Sequence, residues 1–417
     1  MQLMKVSALL EQASACIPRR QAEACSTSMK KWPLDIAWSE RARDAAIGAI
    51  CRLLRMLCWP LTRPPRGGWA EPRRLLVLKP CCMGDVLFTT PLLAAIKAAY
   101  PISHVTYATG AWSATIILDN PHVDAMLAVP SRIGLRDVRE WAGRLRAADF
   151  DCALVPDRSP LLGLLVALAG IRRRVGLDSG GRGFLYTDRV AIAPDDHSIH
   201  EADLYGRVGA AIGAPPLPGQ GTDYRPPAEA IARVSEMIAE RGWQRPLWAI
   251  HPGGGVNPGM ALMPKRWPPE RFAALADELL ESHGGTVLLL GAETDADAVQ
   301  QVRAAMRRAS VDLTGTLDFG MLEAVAHHAT LYIGNDSGTT HCALAGGTPT
   351  LCIFGPTDAR QYGLYGGRGM MVVGRVPWSP CFRRGRLACT CGTIRCMDAV
   401  TVGAVRAAAD QLVGATL

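Results

Sequence analysis

Three short segments in the second half of the chain carry residue types that bind phosphate groups. They are His-Pro-Gly-Gly-Gly at 251–255, Lys-Arg-Trp-Pro at 265–268 and Asn-Asp-Ser-Gly-Thr-Thr-His at 335–341. Glycine lets the backbone approach a bulky anion, hydroxyl groups donate hydrogen bonds, and a lysine or arginine neutralises charge. Apolar runs typical of strands precede the first and third segments, where a βα unit exposes backbone N–H groups. Together they predict a diphosphate site.

A fourth segment lies in the first half of the chain. Residues 75–92 read Leu-Leu-Val-Leu-Lys-Pro-Cys-Cys-Met-Gly-Asp-Val-Leu-Phe-Thr-Thr-Pro-Leu, which predicts a strand, a tight Gly-Asp turn and a helix. The turn places Asp85 at the carboxyl edge of a sheet, where open α/β domains bind ligands. On position alone, capping the helix that would follow at Val86 is the favoured role for Asp85.

These motifs resemble those of glycosyltransferase family 9, the bacterial ADP-heptose:lipopolysaccharide heptosyltransferases. The resemblance extends over roughly residues 73–417 and includes Gly-Thr-Pro at 347–349. It implies an α/β protein of the GT-B fold, with two Rossmann-like domains facing across a cleft. It also implies an inverting, metal-independent transfer of a heptose or related sugar from an ADP-sugar to a lipid-linked or other glycan acceptor, without a cofactor.

The resemblance assigns the two catalytic residues. It makes Asp85 the general base that deprotonates the acceptor hydroxyl, which reverses the preference for a capping role. It places Lys265 on the donor diphosphate, with the adjacent Arg266 as the alternative cation. The acceptor side would include Met83 and Gly84.

The donor site implied by the resemblance is larger. It comprises His251, Gly253, Gly254, Gly255, Arg266, Thr314, Glu323, Asp336, Ser337, Gly338, Thr339, Thr340 and His341. Glu323 would hold the nucleotide ribose and Thr314 would line the base pocket. The alternatives are a first-turn glutamate favoured by the helix dipole for Glu323, a simple capped helix start for 336–340, and a structural role for His341.

Two other groups of residues suggest metals. Asp295 and Asp297 form a DxD motif, but they open a predicted helix, so we expect no metal there. We also expect Asp295→Ala to leave nucleoside-diphosphate binding almost unchanged. The spacing of Cys381, Cys389, Cys391 and Cys396 lacks two C-x2-C knuckles, which favours structural thiols over zinc.

The remaining cysteines are not expected to form disulfides. The 13 cysteines are spread along the chain rather than paired on a small scaffold. Cys81 and Cys82 lie beside an apolar run and are interpreted as small buried hydrophobic residues.

The amino-acid composition is typical of a globular protein, and the positive net charge favours anionic partners. Of 417 residues, 49% are hydrophobic and 20% charged, and the formal net charge is +7. The dispersed arginines indicate nucleotides, phosphorylated glycolipid or a membrane surface as partners rather than nucleic acid. No apolar run reaches the ~20 residues of a membrane-spanning helix, so the expected location is the cytoplasm, including the inner face of the cytoplasmic membrane.

Strand and helix patterns alternate after residue 73 and predict three regions. Residues 1–70 form an extension, 71–225 an acceptor domain and 226–417 a donor domain, with a Pro/Gly-rich linker at 214–227. A helix over 39–61 would carry one apolar stripe of Ile47, Ile50, Cys51, Leu54, Leu57, Cys58 and Leu61. The stripe fits either a helix docked on the protein or one lying on an anionic membrane.

Two alternative functions use the same fold. One is a glycosyltransferase that uses another nucleotide sugar and an acceptor other than lipopolysaccharide. The other is a sugar-nucleotide-binding protein without catalysis, which would not need Asp85. A Rossmann oxidoreductase is disfavoured, because residues 81–85 replace the Gly-x-Gly-x-x-Gly turn that it requires after the first strand.

Overall fold

The computed structural model describes residues 34–65, 67–193, 198–257, 260–377, 379–383, 386–387 and 395–414. For residues 34–44, 257, 260, 383 and 386–387 it describes the backbone alone. The chain forms two compact units, and the division falls between Gln220 and Gly221. This point lies inside the Pro/Gly-rich stretch 214–227, where few favourable local contacts hold the backbone in a helix or strand.

The first unit is built on six parallel strands in the order β3-β2-β1-β4-β5-β6. They are β1 (Arg74–Leu78), β2 (His104–Thr109), β3 (Ala125–Ala128), β4 (Cys152–Val155), β5 (Arg173–Ser179) and β6 (Asp188–Ile192). Strand β1 pairs with β2 on one side and β4 on the other. The strand order reverses direction between β1 and β4, which is where ligands bind in open α/β sheets.

The second unit repeats this topology with the order β11-β10-β7-β12-β13-β14. Its strands are β7 (Leu247–His251), β10 (Thr286–Leu289), β11 (Val311–Asp312), β12 (Leu331–Asn335), β13 (Thr350–Phe354) and β14 (Gly369–Val373). Two short hairpins lie outside this sheet: β8 (Val256–Asn257) with β9 (Met260–Ala261), and β15 (Phe382–Arg383) with β16 (Arg386–Leu387). The reversal of strand order falls between β7 and β12.

Helices connect the strands. In the first unit they are α1 (Leu34–Leu57), α2 (Met83–Leu87), α3 (Thr90–Ala99), α4 (Ala111–Ala114), α5 (Val138–Ala147), α6 (Pro160–Leu168) and α7 (Glu201–Ala210), with a 3-10 turn at Trp59–Thr62. In the second they are α8 (Ala228–Arg241), α9 (Pro269–His283), α10 (Ala296–Ala305), α11 (Phe319–His328), α12 (Gly338–Ala345), α13 (Ala359–Tyr362), α14 (Arg395–Asp398) and α15 (Val402–Val413), with 3-10 turns at Met263–Lys265 and Glu293–Asp295. Within the described segments, no helix combines the length and apolar character that a bilayer crossing requires.

Both faces of the second sheet are buried, as expected for parallel strands covered by helices. Trp248 and Ile250 of β7 pack in one hydrophobic cluster with α9 and α15. Leu247 and Ala249 pack in a second cluster with α8 and α11. The alternation fixes the register of β7, since a slip of one residue would exchange its two faces.

The helix predicted from Val86 is interrupted, which corrects the sequence interpretation. Pro91 has no N–H group, so a continuous helix would leave the carbonyl of Leu87 without its donor. The hydroxyl of Thr90 donates to that carbonyl instead, at 2.8 Å. The chain therefore ends α2 at Leu87 and starts α3 at Thr90.

Where its side chains are described, from residue 45 to 57, helix α1 packs on the rest of the first unit by one face. Cys51 is buried, and a Cβ on Gly48 would lie 3.0 Å from the carbonyl oxygen of Gly180. The Nη2 atom of Arg174 donates to the carbonyl of Leu61 at 2.7 Å. The opposite face leaves apolar side chains exposed, namely those of Ile50, Leu53, Met56 and Leu57, followed by Trp59 and Leu61. The predicted single stripe is thus wrong: Cys51 faces the protein, whereas Ile50, Leu57 and Leu61 face solvent.

Candidate functional site

The first unit gathers charged side chains where β1 and β4 end. Lys79 follows β1 and is buried, and its Nζ lies 2.9 Å from Oδ2 of Asp157 and 3.4 Å from Oδ2 of Asp85. Asp157 follows β4, and its Oδ1 accepts from the N–H of Ser159 at 2.8 Å. The sheet topology therefore brings one ammonium and two carboxylates together at the edge where ligands bind.

Asp85 does not cap a helix. Cys82 occupies the position before α2, and Asp85 lies within its first turn. The capping role is therefore wrong, and the carboxylate instead contacts Lys79 while its side chain remains 28% exposed. Met83 and Gly84 precede it in the same turn, and their acceptor-side role stays a prediction.

The environment of Asp85 makes it a stronger base than an ordinary aspartate. Burial raises its pKa, Lys79 opposes this effect, and the nearby Glu201 and Asp157 carboxylates add to the rise. Glu201 is itself held by Arg158 through two hydrogen bonds of 2.7 and 3.0 Å. A raised pKa suits proton abstraction near neutral pH.

In the second unit the glycine loop after β7 is enclosed by two other turns. A Cβ on Gly253 would lie 2.3 Å from the carboxylate of Asp295, and a Cβ on Gly254 would lie 2.7 Å from Cβ of Ser337. Gly254 also has φ +88°, a conformation that favours glycine. Glycine is thus required at both positions for the three segments to meet.

Asp295 holds this loop in place, which corrects its interpretation as an acidic residue that merely favours a helix start. Its Oδ1 accepts from the N–H of Gly254 at 3.0 Å and from Arg266 at 2.6 Å. Its Oδ2 lies 3.4 Å from Nε2 of His251. Burial would raise the pKa of Asp295, but His251, Arg266 and the Gly254 N–H hold it well below the ordinary value. Asp297, the other acidic residue of the DxD motif, is exposed.

Lys265 contacts a second buried carboxylate. Its Nζ lies 2.6 Å from Oδ2 of Asp336. The hydroxyl of Thr357 donates to the same oxygen at 2.5 Å, and Nε2 of His341 lies 3.3 Å from Oδ1. Burial opposes ionisation of Asp336, yet Lys265 and His341 keep its pKa well below the ordinary value. An ammonium has three donors, so Asp336 orients Lys265 without occupying every one of them.

Side chains of two segments converge on the N-terminus of α12. The hydroxyl of Ser337 caps the helix and lies 2.9 Å from that of Thr339 and 3.1 Å from that of Thr340. Oγ1 of Thr339 lies 3.1 Å from Nδ1 of His251. The first N–H groups of a helix lack intrahelical partners and attract anions. The geometry therefore offers hydroxyl and backbone donors together.

Asn335 connects the three segments and was missed as a site residue. Its Nδ2 donates to the carbonyls of Pro252 and Gly253 at 2.9 and 3.0 Å, and its Oδ1 accepts from the N–H of Trp267 at 2.9 Å. A buried amide at the end of a strand could have signalled this role. Lys79 and Asp157 were missed in the same way, because their proximity follows from the pairing of β1 with β4.

Glu323 lies inside the second unit. Its side chain is 2% exposed, and neither carboxyl oxygen has a hydrogen-bond partner among the described residues. Burial holds the pKa of Glu323 well above the ordinary glutamate value, because burial disfavours the charged form. Its predicted ribose contact, and that of Thr314 with the base, stay predictions.

Replacing Glu323 by glutamine is expected to flatten the dependence of stability on pH. Because its pKa is raised in the folded protein, the wild-type carboxyl binds a proton on folding and loses stability as pH rises above about 4.5. The loss is on the order of 1.4 kcal/mol per pH unit until the folded pKa is reached. Denaturant titrations at pH 5 and 8 compare Glu323→Gln with the exposed control Glu229→Gln. A variant whose stability falls with pH as steeply as wild type would contradict this.

The cysteine cluster near the C-terminus is described in part. Cys381 and Cys396 are buried, whereas Cys389 and Cys391 lie outside the described residues. Among the residues that the structure describes, no group of three or more His, Cys, Asp or Glu side chains could hold a metal ion. The preference for structural thiols stays a prediction.

Two doubly wound units with polar side chains at their sheet edges are the architecture of GT-B glycosyltransferases. Residues 138–390, more than half of the chain, match the model of glycosyltransferase family 9 (heptosyltransferase). The chain therefore belongs to this family and is a glycosyltransferase, which confirms the resemblance seen in its motifs.

Known proteins support the same assignment. The chain is 25% identical to lipooligosaccharide heptosyltransferase 2 of Haemophilus influenzae over 304 residues, which are 68% of this chain and 84% of the relative. Two solved structures share the fold. The family 9 glycosyltransferase of Veillonella parvula has a TM-score of 0.70 and 23% identity, over 82% of this chain and 98% of that one. ADP-heptose lipopolysaccharide heptosyltransferase II of Escherichia coli has a TM-score of 0.65 and 19% identity, over 82% of this chain and 99% of that one.

Proposed function

We propose that this protein is an inverting, metal-independent heptosyltransferase. It transfers a heptose or related sugar from an ADP-sugar to a lipid-linked saccharide at the cytoplasmic face of the membrane. The names of its relatives, which include lipooligosaccharide and ADP-heptose lipopolysaccharide heptosyltransferases, support this substrate class. Other nucleotide sugars remain the alternative that the donor experiment tests.

The convergence of donors at the N-terminus of α12 carries the proposal. The hydroxyls of Ser337 and Thr339 accompany the first N–H groups of that helix, with His251 beside them. A helix N-terminus with added hydroxyl donors suits the negative charge of a nucleoside diphosphate. Lys265, oriented by Asp336, supplies the positive charge.

In the proposed reaction Asp85 acts on the acceptor, and Lys265 and the donors at α12 act on the leaving nucleotide. The carboxylate of Asp85 takes the proton of the acceptor hydroxyl while that oxygen attacks the anomeric carbon. The bond from this carbon to the diphosphate breaks on the opposite side, so the configuration inverts. Lys265 and the donors at α12 stabilise the charge that grows on the leaving nucleotide. Lys79 fixes the position of Asp85 through their contact of 3.4 Å.

The donor is identified by a thermal-shift screen with ADP-, GDP-, UDP- and dTDP-sugars. A ligand that binds only the folded protein raises its unfolding temperature, and at equal ligand concentration a tighter ligand raises it more. We expect ADP-heptose to stabilise the protein most. A larger increase of the unfolding temperature with another nucleotide sugar would identify that sugar as the donor instead of ADP-heptose.

Replacing Lys265 by alanine is expected to weaken ADP binding by roughly 1.5–3 kcal/mol, the value of a hydrogen bond to a charged group. This corresponds to roughly 10- to 150-fold in Kd. Titration calorimetry measures the effect, with the exposed Arg303→Ala as a control of equal charge change. Equal Kd values for Lys265→Ala and wild type would remove Lys265 from the diphosphate site.

We expect no requirement for a metal, because the carboxylate of Asp295 in the DxD motif already accepts hydrogen bonds from the protein. Its carboxylate already accepts from Arg266 and the backbone of Gly254, which leaves little capacity to bind a cation. Activity should therefore persist in excess EDTA. Loss of activity in EDTA and its recovery with a divalent cation would overturn this part of the proposal.

We also propose that the region 39–61 contacts an anionic membrane surface through the exposed face of α1. This face presents Leu53, Met56 and Leu57, while Arg52 and Arg55 are exposed on the same helix. Apolar side chains beside arginines are typical of helices that lie in the interface of anionic lipid. Because α1 also packs on the first unit, point substitutions test this role better than removal of the helix.

The triple variant Leu53→Gln, Met56→Gln, Leu57→Gln is expected to lose binding to anionic vesicles by about tenfold or more. Burial of each apolar side chain is worth roughly 1.5–3 kcal/mol, and the arginine attraction is screened by salt. Sedimentation with phosphatidylglycerol vesicles measures the effect. The control Ile102→Gln, Leu135→Gln removes equally exposed apolar side chains elsewhere in the unit. Unchanged sedimentation of the triple variant would contradict the membrane contact.

A further inference from the structure

Two adjacent cysteines lie in the turn between β1 and α2. The Sγ atoms of Cys81 and Cys82 are 2.9 Å apart, and both side chains are half-buried rather than enclosed. The sequence interpretation of both as buried hydrophobic residues is therefore wrong.

The backbone at this pair is strained. Cys82 has φ +74°, and among the described residues only Asp149 shares a positive φ without being glycine. Such conformations cost on the order of 1–3 kcal/mol and concentrate at functional sites. The carbonyl of Cys82 also accepts from the N–H of Val86 at 2.9 Å, so the strained residue anchors the first turn that carries Asp85.

We propose that Cys81 and Cys82 form a vicinal dithiol that a peroxide oxidises reversibly to a disulfide. The sulfur of Cys81 attacks one peroxide oxygen, the O–O bond breaks, and a sulfenic acid and water result. The thiol of Cys82 then attacks the sulfur of Cys81, the S–O bond breaks, and a second water leaves as the S–S bond forms. Two thiols lose two electrons, and the peroxide gains them.

The surroundings distinguish the two thiols. The contact with Cys82 lowers the pKa of Cys81, and the positive charges of Lys79 and Arg132 lower it further. Burial and the negative charge of Asp85 oppose this decrease. The contact with Cys81 and burial raise the pKa of Cys82. Because the thiolate is the nucleophile, Cys81 attacks the oxidant and Cys82 resolves the sulfenic acid.

Geometry makes the disulfide labile. Adjacent Cα atoms are about 3.8 Å apart across a trans peptide, whereas disulfides usually join Cα atoms about 4.4–6.8 Å apart. The closed ring is therefore strained, and strained disulfides are easily reduced. Closure also displaces the Cys82 carbonyl that supports α2, so oxidation is expected to lower turnover by moving Asp85.

The full-length protein is treated with hydrogen peroxide, denatured, alkylated with iodoacetamide and analysed by peptide mass spectrometry. We expect the peptide with Cys81 and Cys82 to lose two hydrogens and to escape alkylation, and dithiothreitol to reverse both changes. In Cys82→Ser, dimedone should trap a sulfenic acid at Cys81. In Cys81→Ser, dimedone should label Cys82 at least about tenfold more slowly than it labels Cys81 in Cys82→Ser.

A fully alkylated wild-type peptide, or a disulfide from either cysteine to another part of the chain, would overturn the proposal. Phenylarsine oxide, which bridges adjacent thiols, provides a second probe: one arsenical should span the pair in wild type and in neither variant. These readouts require no sugar transfer, so their failure is distinct from failure of the proposed function. Turnover measured on the same oxidised samples tests the effect on Asp85, and unchanged turnover with the disulfide formed would overturn that effect.

Discussion

Asp85→Asn is expected to reduce turnover by about 10²–10⁴-fold, the contribution of a general base, while folding and ADP binding stay close to wild type. The amide keeps the shape of the side chain but cannot take the proton of the acceptor. Lys79 keeps its contact with Asp157 in this variant, so the buried ammonium is still paired. Steady-state kinetics measures the effect, with the exposed Asp119→Asn as control.

The pH profile separates catalysis from a structural effect. Because burial raises the pKa of Asp85, wild-type kcat/KM should increase with pH through a value above the ordinary aspartate pKa of about 3.9. The remaining activity of Asp85→Asn should lack this ascending limb. Near-normal turnover, or an ascending limb that persists in the variant, would remove Asp85 from the mechanism.

Asp295→Ala is expected to destabilise the protein by roughly 3–5 kcal/mol, because removing one partner of a buried ion pair leaves the other uncompensated. Arg266 would lose its carboxylate at 2.6 Å, and the N–H of Gly254 would lose its acceptor. Asp297→Ala, on an exposed neighbour, should remain within about 0.5 kcal/mol of wild type.

Urea unfolding of the two variants measures this difference. A stability of Asp295→Ala equal to that of Asp297→Ala would show that the loop after β7 does not depend on the carboxylate. ADP affinity should fall in Asp295→Ala alone, because Gly254 and Arg266 lie in the predicted donor site. This replaces the expectation from the sequence that Asp295→Ala leaves nucleoside-diphosphate binding almost unchanged.

The sequence sufficed to predict the sheets and the turns that end their strands. Apolar runs such as 247–250 and 331–334 lie in buried strands, and the phosphate-binding segments follow them directly. These features depend on local patterns of hydrophobic, glycine and hydroxyl residues, which are visible in one chain. The family motifs then supplied roles that position alone assigned differently, as for Asp85.

The links between segments could not be predicted. Asn335 contacts Gly253 and Trp267, which are 82 and 68 residues away in sequence. Asp295 looked like a helix-start residue because its partners Arg266 and Gly254 lie in other turns. The two faces of α1 also depend on what packs against Cys51, which periodicity alone does not show.

The most direct test of the proposed function is a transfer assay with ADP-heptose and a lipid-linked saccharide acceptor that lacks the heptose. Mass spectrometry of the product should show the acceptor enlarged by one heptose, and NMR should show an anomeric configuration opposite to that of the donor. Asp85→Asn should form this product about 10²–10⁴-fold more slowly. Absence of transfer by wild type with every ADP-sugar, or a product with retained configuration, would contradict the proposal.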